Sequence, residues 1–229
     1  MHERIAQFLV EVSGYVWGLP LIFLLLGTGI YLTILLRGLQ VWALIPALKL
    51  AFLKKYQEHD AEGDISHFQA LMTALSATIG VGNIAGVATA IAIGGPGALF
   101  WMWVTGVLGM ASKYSESVLA VKYREVDKFG TMSGGPMYYL SRGLGFKRLG
   151  AVFAVFTMLA TFGIGNMVQS NSVAHALEGA FSVPVWITGL VLCIGTGIVI
   201  LGGIKSIAKA TGMIVPFMLI FFILGSIIS

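Results

Sequence analysis

The residues best suited to chemistry lie in the stretch SATIGVGNIAG, at positions 76–86. Within an otherwise apolar segment, this stretch carries a hydroxyl, a carboxamide and three glycines: Thr78, Asn83, Gly80, Gly82 and Gly86. Glycine destabilises a helix interior by about 0.5–1 kcal/mol relative to alanine, so this composition predicts a backbone that leaves the helix. Where a helix unwinds within a membrane, free amides bind anions and free carbonyls bind cations.

Two other interpretations explain part of the same stretch. The pattern Gly80-x-Gly82-x-x-Ala85 matches a dinucleotide-binding fingerprint, but that motif needs a preceding strand and a βαβ unit in water. The pattern Gly82-x-x-x-Gly86 is typical of close packing between membrane helices, and it leaves the hydroxyl and the carboxamide unexplained. A discontinuous helix accounts for all of these residues. The break also lies near the middle of its apolar segment, where transporters place their sites.

A second polar cluster, GIGNMVQSNS, occupies positions 163–172 of another apolar segment. The spacing i, i+3, i+4, i+7 places four residues on one helix face: Asn166, Gln169, Ser170 and Val173. Polar residues on one face of a membrane helix need a polar partner or a cavity. The residues alone leave two roles open. The polar side chains could form hydrogen bonds between helices, worth about 0.6 kcal/mol each, or Gln169 could contact a substrate.

The remaining polar residues do not favour an enzyme or a transition-metal site. The four histidines lack metal-ligand spacing, no serine has the context of a nucleophile elbow, and no two carboxylates share an apolar segment. Lys113 and Glu116, at i and i+3, predict a local ion pair. The single cysteine, Cys193, excludes an internal disulfide and predicts a packing role. We therefore expect no catalytic residue and no organic cofactor.

The elements that must position the two polar clusters are membrane helices. Of the 229 residues, 57% are hydrophobic and 10% are charged, whereas soluble domains carry about 25% charged residues. Apolar runs of roughly 20 residues have the length that crosses a bilayer as a helix, and the alternation expected of membrane strands is missing from the sequence. The predicted spans are 16–36, 66–92, 97–121, 150–178, 185–203 and 211–229.

The segments between the spans carry their own signals. Residues 37–64 predict an interfacial helix, whose apolar part contains Pro46, followed by a polar loop. Ser66 and Gln69 match a capping box at the start of the second span. The sequence GGPG at 94–97 predicts a turn between two spans.

The distribution of basic residues predicts the orientation. Loops 37–64, 122–149 and 204–210 hold twelve of the 14 lysines and arginines, and the alternate loops 93–96 and 179–184 hold none. Basic loops remain in the cytoplasm, so the N-terminus is expected outside. Four tryptophans then lie near the outer interface, as aromatic belts do: Trp17, Trp101, Trp103 and Trp186.

The run ATIGVGNIAGVATAIAIGGPGALFWMWVTGVLGMASKYSE, residues 77–116, resembles the alanine or glycine:cation symporters, also called sodium:alanine symporters. GDISHFQALMTALSATIG before it and MSGGPMYYL after it are similar to the same family. The resemblance implies an all-α, polytopic membrane protein with the leucine-transporter-type fold of two inverted five-helix repeats. It also implies inward transport, across the plasma membrane, of alanine, glycine or a similar small amino acid with sodium, or in some members with protons.

The resemblance implies roles for residues of the GxGN pattern. The amides of Val81 and Gly82 would hold the substrate carboxylate, and Gln169 would contact the substrate. Asn83 would serve both the substrate and a neighbouring sodium ion.

The same resemblance places cations on the carbonyls around the break. The Thr78 carbonyl would join the Asn83 side chain at the cation site beside the substrate. The carbonyls of Ser76 and Ile79 would form half of a second cation site. The other half would come from the opposite repeat.

On this pattern the chain divides into three parts. Residues 1–36 would be an extracellular tail with an accessory transmembrane helix, 37–64 a cytoplasmic interfacial connector, and 65–229 the first five-helix repeat. We therefore expect the N-terminal part of a longer symporter that needs a C-terminal repeat to transport. Three rivals stay open: a channel, a half-transporter without transport of its own, and a same-fold transporter of another solute.

Overall fold

The computed structural model describes residues 2–53, 63–126, 128 and 130–228, and within them most of the chain is helical. Two-residue strands β1 (Glu125–Val126) and β2 (Met132–Ser133) pair antiparallel, and π-helical segments occur at Gly82–Gly86, Tyr139–Gly143 and Thr161–Met167. The α-helices are α1 (His2–Val16), α2 (Leu19–Leu35), α3 (Leu39–Trp42), α4 (Leu44–Phe52), α5 (His67–Thr78), α6 (Val87–Gly94), α7 (Pro96–Lys122), α8 (Pro136–Tyr138), α9 (Lys147–Ala160), α10 (Val168–Phe181), α11 (Val185–Leu201) and α12 (Gly203–Ile228). The all-α membrane class is confirmed with this small hairpin added, and the inverted-repeat fold stays a prediction.

Three helices of the described chain are long and apolar enough to cross a membrane: Arg4–Leu35, Lys147–Phe181 and Gly203–Ile227. A fourth candidate is the bent pair His67–Thr78 and Gly82–Gly94. Helix α11 is apolar but has only 17 residues, whereas α7 has 27 residues with charged groups in its second half. Each predicted span therefore coincides with a helical region, and the crossing by α7 and α11 stays a prediction.

The N-terminal tail is helical, because apolar residues spaced along His2–Val16 give it a helical apolar stripe. One expectation about the connections was wrong. The predicted loop 204–210 lies inside α12. The positive φ of +67° at Gly203 turns the chain without a loop, and the stems of Lys205 and Lys209 can lie along apolar surface.

The connector between α2 and α5 is helical where the structure describes it, as predicted, and its position at the membrane interface stays a prediction. The chain turns at Arg37 and Gly38, both at positive φ, and then forms the short helices α3 and α4. The predicted polar loop falls largely on residues 54–62, outside the described residues. At the start of α5 the capping box is confirmed, since the Gln69 amide donates to Ser66 Oγ at 3.2 Å and the Ser66 amide donates to Gln69 Oε1 at 3.1 Å.

The connector after α7 is folded rather than open. The Met132 amide of the hairpin donates to the Asp64 carboxylate at 3.0 Å, which ties the hairpin to the start of α5. Arg142 forms an ion pair with Glu125 of β1. Desolvation by burial, and secondarily the charge of Glu116, raises the pKa of Tyr139 in this connector. The Tyr139 phenol therefore stays neutral around pH 7, because its ordinary pKa is already about 10.

The first half of the broken segment is held in place by α12. Met72 of α5 and Ala208 and Val215 of α12 are buried. The hydroxyls of Thr73 and Thr211 share a hydrogen bond of 3.0 Å. Packing against α12 therefore fixes α5, and with it the position of Thr78, where the break begins.

Candidate functional site

The predicted break in the membrane segment is confirmed. Helix α5 ends at Thr78, Ile79 is extended with φ −88° and ψ 101°, and the π-helical segment begins at Gly82. The two halves of the segment meet at an angle of 53°. Ile79 and Gly80 therefore lie outside regular helix in the middle of an apolar segment, where unpaired backbone groups are costly unless they meet a partner or line a cavity.

Carbonyl oxygens on the α5 side of the break lack a hydrogen-bond donor within the described residues. In the part of the chain that the structure describes, no hydrogen bond ends on the carbonyl oxygens of Ser76 or Ile79. The Ser76 hydroxyl donates to the Thr73 carbonyl at 2.7 Å, and the Thr78 hydroxyl donates to the Ala74 carbonyl at 2.8 Å. The hydroxyls thus turn back along α5, while the carbonyl oxygens keep their acceptor capacity.

The amide on the other side of the break has a partner from a distant helix. The Val81 amide donates to Gln169 Oε1 of α10 at 3.2 Å. A Cβ atom at Gly80 would lie 3.2 Å from Gln169 Nε2 and 3.5 Å from Oε1. The absence of a side chain at Gly80 therefore lets the Gln169 carboxamide lie directly against the break.

Asn83 takes a different position from the other candidates. Its backbone amide donates to the Gly80 carbonyl at 3.0 Å and closes the turn of the break. Its side chain is exposed, and within the described residues its carboxamide makes no hydrogen bond. The structure thus brings the Val81 amide and the Gln169 side chain together. The Asn83 carboxamide, two positions after Val81, has no hydrogen-bond partner within the described residues.

The second polar cluster lines a cavity between α10 and α11. Its volume is about 330 Å³. The four residues predicted to share a face all lie on its wall, and α11 contributes Gly189, Leu192, Cys193 and Thr196. The shared face is therefore confirmed. The contribution of α11 was missed, because a uniformly apolar helix with scattered small residues gives no signal for which side meets a neighbour.

The predicted ion pair lies apart from this site. Lys113 Nζ and Glu116 Oε2 are 3.1 Å apart on α7, and both side chains are substantially exposed. An exposed pair at this spacing contributes about 0.3–0.5 kcal/mol, so a local role explains both residues.

The chain was compared with known protein families and with curated proteins. The family model described as "Sodium:alanine symporter family" matches residues 2–229. The chain is 62% identical, over 95% of its length and 49% of the relative's, to the "Sodium/alanine symporter AgcS" of Methanococcus maripaludis. It is 40% identical to the "Probable sodium/glutamine symporter GlnT" of Bacillus subtilis, over 96% of this chain and 46% of that protein.

A further relative, the "Amino-acid carrier protein AlsT" of Bacillus subtilis, is 38% identical over 90% of this chain and 43% of its own length. The chain thus spans about half the length of the curated relatives it matches.

Proposed function

The chain belongs to the sodium:alanine symporter family, and we propose that it carries the broken-helix half of a site that transports a small neutral amino acid into the cell together with sodium. Alanine or glycine is the proposed substrate and sodium the proposed coupling ion. The observation that carries this proposal is the break at residues 79–81, which has the amides of Val81 and Gly82 on one side and, on the other, the carbonyls of Ser76 and Ile79, which have no donor within the described residues.

The substrate carboxylate is proposed to bind at the amides of Val81 and Gly82. These amides begin the helical half that continues through α6, and the N-terminal end of a helix carries a partial positive charge that favours an anion. Hydrogen bonds from these amides thereby replace those that the carboxylate loses when it leaves water. Gln169, which lies against the same amide, is proposed to contact the bound amino acid.

Sodium is proposed to bind at the oxygens left open on the α5 side. The Thr78 carbonyl and the Asn83 carboxamide would hold the ion beside the substrate, and the carbonyls of Ser76 and Ile79 would hold part of a second site. A cation next to the bound carboxylate raises the affinity of each for the other, and this mutual effect is the coupling that symport needs.

The facing wall of the site is proposed to come from a second repeat. Thr78, Asn83 and Gln169 are exposed in this chain, and a transporter site of this kind lies between two repeats that rock against each other. We therefore propose residues 65–229 as the first repeat, residues 1–36 as an N-terminal tail and accessory helix, and residues 37–64 as the cytoplasmic connector. The protein would sit in the plasma membrane with its N-terminus outside.

Uptake into liposomes tests the proposed function. Full-length protein is expected to take up radiolabelled alanine in a saturable manner when an inward sodium gradient is applied. The 229-residue chain alone is expected to take up none above empty liposomes, because its break lacks the opposing ligands. Saturable uptake by the chain alone would mean that one repeat suffices, and non-saturable, sodium-independent flux through the full-length protein would favour a channel.

A further inference from the structure

We infer that Gln169 is an exchangeable ligand of the Val81 amide, which it occupies while the site is empty and gives up to the substrate carboxylate. This inference rests on the proposed function, since it takes the Val81 amide as the carboxylate-binding group. It adds a step to binding: the amino acid replaces a side chain of the protein instead of entering a vacant site.

The geometry at the break shows that Gln169 is held at the Val81 amide by few interactions. Gln169 lies 88 positions from Val81, and a single hydrogen bond of 3.2 Å joins them. The carboxamide fits because Gly80 has no side chain, and a Cβ there would approach it to 3.2 Å. Within the described residues, Gln169 Nε2 makes no hydrogen bond. The side chain is thus fixed at one atom only.

The chemistry favours exchange in one direction. The Gln169 carboxamide and a carboxylate both present an acceptor oxygen to the Val81 amide, but a hydrogen bond with an ionised partner is roughly twice as strong as a neutral one. The amino acid can therefore displace Gln169. The displaced carboxamide can turn its Nε2 group, which is a donor, towards the bound carboxylate.

The structure also provides room for the displaced side chain. Gln169 lies on the wall of the cavity of about 330 Å³ between α10 and α11. Its carboxamide satisfies the Val81 amide, which would otherwise be unpaired at membrane depth, and an unpaired amide there is costly. Binding of the amino acid then removes the direct hydrogen bond between the break and α10, so occupancy of the site changes how these two elements are connected.

Two charge-adding variants in full-length protein test the exchange. Gln169→Glu puts a carboxylate on the side chain that reaches the Val81 amide, and we expect alanine affinity to fall by at least about tenfold because a charged acceptor is not readily displaced. Gln169→Glu should still bind sodium in the absence of alanine, and adding alanine should no longer raise its sodium affinity. Asn166→Asp is the matched control, since it adds the same charge to the same cavity wall one helical turn away. Its alanine affinity should remain within about threefold of wild type.

The outcomes separate the inference from the proposed function. Wild-type protein that does not bind alanine overturns both, because the exchange takes the Val81 amide as the group that binds the carboxylate of the amino acid. Sodium-dependent binding in wild type, with equal losses in Gln169→Glu and Asn166→Asp, overturns the exchange alone, because charge in the cavity then explains the effect. Near-normal alanine binding by Gln169→Glu also overturns the exchange.

A measurement on wild-type protein avoids any effect of the variants on folding. In protein labelled with ¹⁵N-valine, the Val81 amide signal is assigned by its loss in Val81→Ile. Adding alanine and sodium should move the Val81 amide proton to lower field, since a carboxylate is the stronger acceptor. A signal that stays at its empty-state position while alanine is bound overturns the inference.

Discussion

Thr73 of α5 and Thr211 of α12 join their hydroxyl groups at 3.0 Å, although they are 138 positions apart in the chain. Each hydroxyl also lies within hydrogen-bond distance of a carbonyl of its own helix, Gln69 for Thr73 and Ile207 for Thr211. Since a hydroxyl has a single proton, one of the two donates across the seam between α5 and α12 and the other donates to its own helix. The bond lies in the same seam as the buried Met72 and Ala208. It therefore fixes the helix that leads into the break to the last helix of the chain.

Removal of this bond should lower stability modestly. We expect Thr73→Val and Thr211→Val to be non-additive, with a coupling free energy of about 0.6 kcal/mol, the average for hydrogen bonds between membrane helices. A double-mutant cycle on the free energy of unfolding in detergent measures it. Thr105→Val serves as the control, because the Thr105 hydroxyl donates only to carbonyls of α7. A coupling indistinguishable from zero would show that the hydroxyl pair does not hold the seam.

Gly80→Ala should disturb the contact between the break and α10. The added Cβ would come within 3.2 Å of Gln169 Nε2, so the carboxamide must shift and its bond to Val81 must weaken. We expect a loss of about 1 kcal/mol in the free energy of unfolding, the worth of a typical hydrogen bond. Gly86→Ala is the control, since no atom lies within 4 Å of a Cβ placed there. If Gly80→Ala is as stable as Gly86→Ala, the close contact between Gly80 and Gln169 does not contribute to the free energy of unfolding.

Asn83→Ala should weaken the coupling between alanine and sodium. Its carboxamide is the side-chain acceptor offered by the GxGN pattern, and it makes no hydrogen bond within the described chain. We expect alanine affinity in the presence of sodium to fall by about tenfold while the protein still inserts. Equilibrium binding to purified full-length protein measures this. Asn171→Ala is the control, because Asn171 lies outside the wall of the α10–α11 cavity. Unchanged affinity and sodium dependence in Asn83→Ala would contradict the assigned role.

The predicted orientation can be tested with single cysteines. In a background where Cys193 is replaced, cysteines at Lys128 and Lys205 should be shielded from a membrane-impermeant thiol reagent in intact cells, because basic segments stay in the cytoplasm. A cysteine at Gly179, near the end of α10, should be labelled. The reverse labelling pattern would invert the topology.

The sequence predicted those features that depend on local spacing. The glycines and polar residues of 76–86 marked the break, and the spacing of Asn166, Gln169 and Ser170 marked a shared face. The Ser66–Gln69 capping box and the Lys113–Glu116 pair are likewise local, and both are confirmed.

Features that depend on how distant elements meet were not predictable. The family resemblance implied that the Val81 amide and Gln169 both contact a substrate, but nothing in the sequence indicated that they bond to each other across 88 positions. The lining of the cavity by α11 was missed for the same reason. The start of α12 was placed too late because its two lysines suggested a loop, although lysine is a good helix former.

The break at residues 79–81 is proposed to bind the amino acid and sodium as a coupled pair. Alanine affinity measured by titration calorimetry at a series of sodium concentrations, and sodium affinity at a series of alanine concentrations, tests it most directly in full-length protein. We predict that each ligand raises the affinity of the other by the same factor, as linkage requires, and that Asn83→Ala reduces this factor. An alanine affinity that does not change with sodium would contradict the account.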